Sequence, residues 1–221
     1  MFGHRTGPLL IVVLAVLTLS LAAGRVTAQI GPSDAAISFL APLGDADVRA
    51  FVDDRGVQLT SLHASVLGLT GSYRSYANIS SAALVRDARE STITTFTNSL
   101  GSSAQRLRAF TGSNSTAQVA SDAGLQTQLR SLLNIRAKLQ RAIALLTQGT
   151  AVIYAIDVNA TPTQLAALGS DWRVRAVAAA GDLAARQDLK PAALEVTWSD
   201  SEIDGLDAPG LYTRALVEGG R

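Results

Sequence analysis

Residues 151–179 constrain the fold more tightly than any other stretch of this 221-residue chain. Val152, Tyr154, Ile156 and Val158 alternate as one face of a strand over 151–158, with Asp157 on the other. Thr161-Pro162-Thr163-Gln164 then opens a helix. Thr161 serves as N-cap, Pro162 takes the first helical position, where its missing N–H costs nothing, and Gln164 closes a capping box. Leu165 and Leu168 point to the core, Gly169 ends the helix, and Asp171-Trp172 leads into a second strand over 173–179 through Val174 and Val177. Local chemistry and apolar spacing agree at each step, so the segment predicts a strand–helix–strand unit.

Two long helices are predicted upstream. Over 80–110, Leu84, Ala88, Phe96, Leu100, Leu107 and Phe110 recur mostly every three or four residues, with a break expected at Gly101 and a Thr-rich stretch, 91–97, that competes as a strand. Over 121–148, Leu125, Leu129, Leu132, Leu139, Ile143 and Leu146 form a stripe interrupted by Arg136 and ended by Gly149. Such a stripe can pair two chains, but its short length favours packing within one domain. Before these helices, Asp45 or Asp47 caps a short helix carrying Val48, Phe51 and Val52, which Gly56 stops. Leu59, Leu62, Val66, Leu67 and Leu69 predict one strand over 57–69, followed by a polar-aromatic connector over 73–78.

The predicted fold is therefore α+β: a small mixed or antiparallel sheet, with a ferredoxin-like strand–helix–strand unit, packed on two long amphipathic helices. It divides into a signal segment over 1–28, an extended lead-in over 29–44 punctuated by Pro32, Pro42 and Gly44, a single domain over 45–181, and an irregular C-terminal extension over 182–221. Within that extension a helical turn is predicted near 183–186, a break at Pro191, an edge strand at 194–198 and a loose surface segment from 199.

The first 28 residues have the three-part layout of a secretory signal peptide: Arg5 with no acid, an apolar run from Leu9 to Ala23, and Val26-Thr27-Ala28 as a small-x-small cleavage site. A spanning helix needs about 20 apolar residues, so retention as an anchor is the alternative to cleavage after Ala28. Either way the remainder is expected outside the cytoplasmic membrane, secreted or at the cell envelope.

Composition then excludes several chemistries. Arg5 and Arg25 lie in the leader, leaving 17 of the 19 basic residues against all 18 acids. No positive surplus exists to neutralise phosphates, which argues against a nucleic-acid partner. The chain has no cysteine. That removes disulfide staples, thiol catalysis and thiolate metal sites, and with the abundant alanine it suits a bacterial secreted protein. Asn78, Asn114 and Asn159 then begin chance sequons.

His63 is the only histidine beyond the leader, with Ser61 and Ser65 on the same face of a strand. No nucleophile-elbow pattern or orienting acid is marked out, so no catalytic residue is assigned and a hydrolase using His63 stands only as an alternative. The run Asp200-Ser-Glu202-Ile-Asp204-Gly205-Leu206-Asp207 resembles the first half of an EF-hand loop, but Leu211 stands where the bidentate Glu is required; a solvated acidic loop is the default reading. Asp45, Asp47, Asp53 and Asp54 read as helix-cap and surface acids. No phosphate loop follows a strand. No cofactor or metal is expected. Trp172 is either a lid on the core or an exposed contact.

The pieces Val152-Ile-Tyr-Ala-Ile-Asp-Val158, Thr161-Pro-Thr-Gln-Leu-Ala-Ala-Leu168 and Asp171-Trp-Arg-Val-Arg-Ala-Val177 resemble the closing half of the subtilisin-propeptide, or peptidase-inhibitor, family. There a strand is followed by a Thr/Ser-Pro-x-x-Leu-x-x-Leu helix, then Asp-Pro-x-Val and a last strand. The resemblance implies a ferredoxin-like fold and a role in chaperoning and inhibiting a subtilisin-type protease. This chain departs from the pattern at Trp172, where the family has proline, and its residues 45–72 do not show the family's first half. The functional expectation is a non-enzymatic, extracytoplasmic module that contacts an unknown protein partner. A propeptide-like inhibitor and an anchored ectodomain are the alternatives, and contact with a membrane is expected only through an uncleaved leader.

Overall fold

The computed structural model describes residues 32–74, 79–179 and 198–220. The leader, most of the 73–78 connector, and the predicted turn, break and edge strand over 183–198 apart from Trp198 lie outside the described residues.

Where the sequence predicts a lead-in, residues 33–43 form a strand, β1 (Ser33–Leu43), near the middle of the sheet. Ala35, Ala36, Ile37, Ser38 and Phe39 are all buried. A strand covered on both faces shows an unbroken run of small and apolar residues, not alternation, and here that run is only five residues long and begins with two alanines. Pro42 is accommodated because the register shifts between Ser38 and Leu43, so its missing donor breaks no regular ladder.

Helix α1 (Asp45–Asp53) follows with Gly44, not Asp45 or Asp47, at the N-cap; Asp47 lies in the first turn and accepts from the Gly44 N–H, and Val48, Phe51 and Val52 are buried as their spacing predicts. The predicted single strand over 57–69 is two strands, β2 (Gln58–Val66) and β3 (Leu69–Arg74). They double back at Leu67 and Gly68, whose φ values are 52° and 74°. This two-residue turn needs left-handed backbone at both positions. Leucine there gives no turn signal, which is why the hairpin is not legible in the sequence.

Helix α2 (Ser81–Ser113) runs unbroken through Gly101. The hydroxyls of Thr92, Thr94, Thr95 and Thr97 each donate to the carbonyl four residues earlier, so the Thr-rich stretch is held inside the helix. The predicted linker contains a further short helix, α3 (Thr116–Ser121), opened by a capping box between Ser115 and Gln118. Helix α4 (Ala123–Thr147) starts at the Asp122 cap. Strand β4 (Ile153–Ala160), helix α5 (Pro162–Gly169) and strand β5 (Val174–Ala179) form the predicted unit. Thr161 accepts from the Gln164 N–H while Gln164 Oε1 accepts from the Thr161 N–H at 2.8 Å. Gln164 Nε2 also donates to the Gly56 carbonyl at 2.9 Å, tying α5 to the end of α1. Thr161→Ala is expected to cost about 1 kcal/mol in urea unfolding, with Thr161→Ser near neutral.

The sheet order is β3-β2-β4-β1-β5, with every neighbouring pair antiparallel. Hence β1 and β2 are mutually parallel with β4 between them, while β4 and β5 are parallel with β1 between them. Two strand–helix–strand units, β1-α1-β2 and β4-α5-β5, are interleaved strand by strand. On one sheet face Ile37, Phe39, Leu62 and Ile156 pack with Phe51 of α1, Leu84 of α2 and Leu168 of α5.

The long helices are expected to pack on the sheet, and the first half of α2, from Leu84 to Phe96, and the last turns of α4, from Leu139 to Leu146, do so. A second core, around Leu107, Phe110, Val119, Leu129 and Leu133, is closed by Ile203 of α6 (Ser201–Asp204) and by Leu211 and Ala215 of α7 (Ala208–Gly219). The C-terminal segment from 201 is thus a packed part of the helical body, not a loose surface segment. A third cluster, with Val66, Phe96, Leu139, Leu146 and Val152, joins the two bodies. Arg89 fastens the same junction: its guanidinium donates to both Asp45 oxygens, at 2.6 and 2.5 Å, and to the Leu146 carbonyl at 2.6 Å. Arg136, the polar break in the α4 stripe, reaches Glu218 of α7 at 2.6 Å and the Leu100 carbonyl of α2 at 3.0 Å. Among the described residues no helix is long and apolar enough to cross a membrane.

Candidate functional site

On the sheet face opposite α1 and α5, the register places Ser61, Asp157 and Ala36 in one row and His63, Ala155 and Ser38 in the next. His63 Nε2 lies 3.2 Å from Asp157 Oδ2, and both side chains are largely buried. Burial raises the Asp157 pKa, but the hydrogen bond and charge of His63, the Ser61 hydroxyl and the charge of Arg74 outweigh it, holding the carboxyl below its ordinary value. Burial and the Asp157 charge push the Tyr154 hydroxyl up. The His63 and Tyr154 rings sit 6.1 Å apart.

The acid that orients His63, invisible in the sequence because 94 positions separate the pair, is therefore Asp157. A nucleophile activated by this imidazole would have to hydrogen-bond its second nitrogen. Ser61 instead engages the acid, and the buried Ser65 Oγ has no partner. The arrangement links β2 to β4. Replacing His63 by alanine is expected to lower stability by about 1–2 kcal/mol in chemical unfolding, by stranding the Asp157 carboxylate.

Two of the acids of 200–207, Asp200 and Asp207, are helix N-caps. Asp200 accepts from the Glu202 N–H at 2.9 Å, Asp207 from the Gly210 N–H at 2.8 Å, and Asp204 from Asn134 Nδ2 at 3.1 Å. The run is a helical turn flanked by two capping acids, not a loop with ligands at alternate positions. Asp45 is bound by Arg89 and Asp47 by the Gly44 N–H, while Asp53 and Asp54 are exposed. Among the described residues no group of three or more His, Asp or Glu side chains could hold a metal ion.

The turn between α5 and β5 is held by a network of charged hydrogen bonds. The Asp171 carboxylate accepts from the Arg173 N–H and from Arg173 Nε and Nη2, each at 2.9 Å, and from Arg55 Nη2 at 2.5 Å. Foremost the side-chain hydrogen bonds of Arg173, opposed by burial and aided by both guanidinium charges, hold its carboxyl far below the usual carboxylate range. The Arg173 guanidinium in turn lies 4.9 Å from the centre of the Phe51 ring. Between these anchored residues Trp172 is 82% exposed. Leu40, itself 61% exposed, lies alongside, its N–H donating to the Arg173 carbonyl at 2.8 Å. Trp172 is therefore an exposed contact and not a lid on the core. Sequence reasoning missed the network; an acid just past a helix end, two residues before an arginine, was its one local signal.

Comparison with family models, with curated proteins and with solved structures finds no match to this chain.

Proposed function

We propose that this chain is a secreted or envelope-associated module that acts by non-enzymatic contact with a protein partner. The observation that carries this reading is the exposure of Trp172 on a turn immobilised by Asp171, Arg55 and Arg173, with Leu40 beside it. Tryptophan and arginine dominate the energetics of protein interfaces, and a rigid support removes the cost of ordering the anchor on binding. The apolar leader supports placing that contact outside the cytoplasm. The test is capture from the extracytoplasmic fraction of the host by the immobilised protein. Wild type is expected to retain a protein that Trp172→Ala retains at least about tenfold less. Equal capture by both, or turnover of protease, esterase or glycosidase substrates, overturns the reading.

A second reading is favoured by one specific observation, the interleaving of two strand–helix–strand units in an antiparallel sheet. We read that order as a ferredoxin-like arrangement carrying the extra strand β3 and the helices α2, α3 and α4 between β2 and β4. It supports the resemblance to subtilisin propeptides, and with it a protease inhibitor or chaperone. Slowing of a subtilisin-type protease at micromolar protein is its expected outcome; unaltered proteolysis overturns it.

A further inference from the structure

β3 closes one side of the sheet, and among the described residues β2 is its one neighbour strand. The two-residue turn at Leu67 and Gly68 fixes which backbone groups of β3 face outward. Val66 and Leu69 flank that turn as a hydrogen-bonded pair, and such pairs alternate along the ladder with pairs that exchange no bond. Leu69, Gly71 and Tyr73 therefore bond to β2. The alternation is confirmed on the other side of β2, where the Ser65 N–H donates to the Val152 carbonyl at 2.8 Å. Hence Thr70, Ser72 and Arg74 turn their N–H and C=O groups to the outer edge. Nothing in the strand blunts that edge: its register with β2 runs without a shift, and it holds neither proline nor lysine. β5, at the opposite end of the sheet, carries a register shift and an exposed Arg175.

We propose that β3 pairs antiparallel with β3 of a second copy, about a two-fold axis through Ser72. Only an extended strand satisfies a row of outward N–H and C=O groups, and this strand is complementary to itself. With the axis at Ser72, Ser72 meets its counterpart and Thr70 meets Arg74, so the outward groups of all three residues are bonded. The pairs between them set Tyr73 directly opposite Gly71, twice by symmetry. Both residues lie on the sheet face toward α2. Gly71 leaves the space for the ring: a Cβ there would meet nothing nearer than Thr92, at 3.7 Å, and a small apolar recess beside it is lined by Ala64, Ala88 and Thr92. An aromatic ring across from a strand glycine covers the backbone that glycine leaves bare. Moving the axis to Gly71 would set glycine against glycine and bond only Thr70 and Ser72. No like charges are opposed, since Arg74, the one charged residue of the strand, faces Thr70. The contact is isologous, so it closes as a dimer in which two five-stranded sheets become one.

The test is sedimentation velocity on the protein as its host produces it, over a wide concentration range. Wild type is expected to reach a dimer and nothing larger. Ser72→Pro removes the N–H at the axis and is expected to stay monomeric. Ser72→Lys and Ser72→Glu each set like charges face to face and should weaken the dimer at least about tenfold. Mixed in equal amounts, those two variants should form a one-to-one dimer. All three are expected to keep the wild-type circular dichroism, since Ser72 is exposed and its N–H faces away from β2. Trp172→Ala should dimerise as wild type does, which separates this contact from the one at the Trp172 turn. Wild type that stays monomeric overturns the proposal, as does a dimer that Ser72→Pro leaves intact or that Trp172→Ala abolishes. Lysine and glutamate variants that remain apart when mixed, while wild type pairs, overturn it too.

Discussion

Alanine at Asp171 is expected to destabilise the protein by about 3 kcal/mol, whereas alanine at its neighbour Trp172 changes stability by less than about 0.5 kcal/mol. The contrast follows from what each side chain touches. Removing Asp171 leaves the Arg55 and Arg173 guanidiniums partly buried against Phe51 with no anion between them, and releases the backbone of the turn. Removing Trp172 uncovers almost nothing. The effect of Asp171 is also pH-dependent with a fixed sign. Its folded pKa lies below the unfolded value, so the folded state binds fewer protons there. Its stabilisation is fully present above the unfolded carboxylate pKa of about 4 and is lost progressively as pH falls below it. Urea midpoints of wild type and Asp171→Ala should therefore converge below about pH 4. A difference that stays constant down to strongly acid pH would show that Asp171 acts by packing and not by charge.

The largest effect is expected at Phe51. Phe51→Ala should cost about 3–5 kcal/mol, and Phe51→Leu about 1.5 kcal/mol or less. The ring is fully buried, meets Phe39 of β1 edge-on at 5.3 Å, and lies under both guanidiniums of the Asp171 turn. Its loss opens a cavity where α1, β1 and that turn converge. Equilibrium unfolding measures the cost; a loss below about 1.5 kcal/mol for the alanine variant would mean that α1 collapses into the space. Trp172 reports the local consequence: since Arg173 is held partly by Phe51, its fluorescence anisotropy should fall in Phe51→Ala before the global transition.

How much of this is legible in the sequence depends on where each signal resides. The Thr161 capping box, the Gly169 stop and the α1 apolar triplet are local, and each marks the element it predicts. β1 fails because burial on both faces erases alternation and leaves Ala-Ala-Ile-Ser-Phe resembling a linker. The β2–β3 hairpin fails because Leu67 occupies a backbone conformation that glycine or asparagine usually signals. The C-terminal helices are under-read because their apolar residues are spaced by caps, Pro209 and Gly210, and their partners lie on helices far upstream. At the candidate sites the residue types are visible but the pairings are not. His63 with Asp157, Arg89 with Asp45, and Arg55 with Asp171 all cross long stretches of chain that only the sheet order brings together.

β4 is the strand on which the sheet depends, since it alone separates β1 from β2, yet it is made after α2, α3 and α4. Until Ile153–Ala160 is available, β1 has neither of its sheet neighbours and β2 has only its hairpin partner. The helices α2, α3 and α4 follow one another directly and can pair early, before α6 and α7 close their core. The sheet must close a loop containing all of them, an entropic step that grows slowly with loop length but precedes most of the reward. Folding is therefore expected to be ordered, with α2, α3 and α4 pairing first and the sheet closing last, so a chain ending before β4 would keep that helix pairing while lacking the strand that unites the sheet.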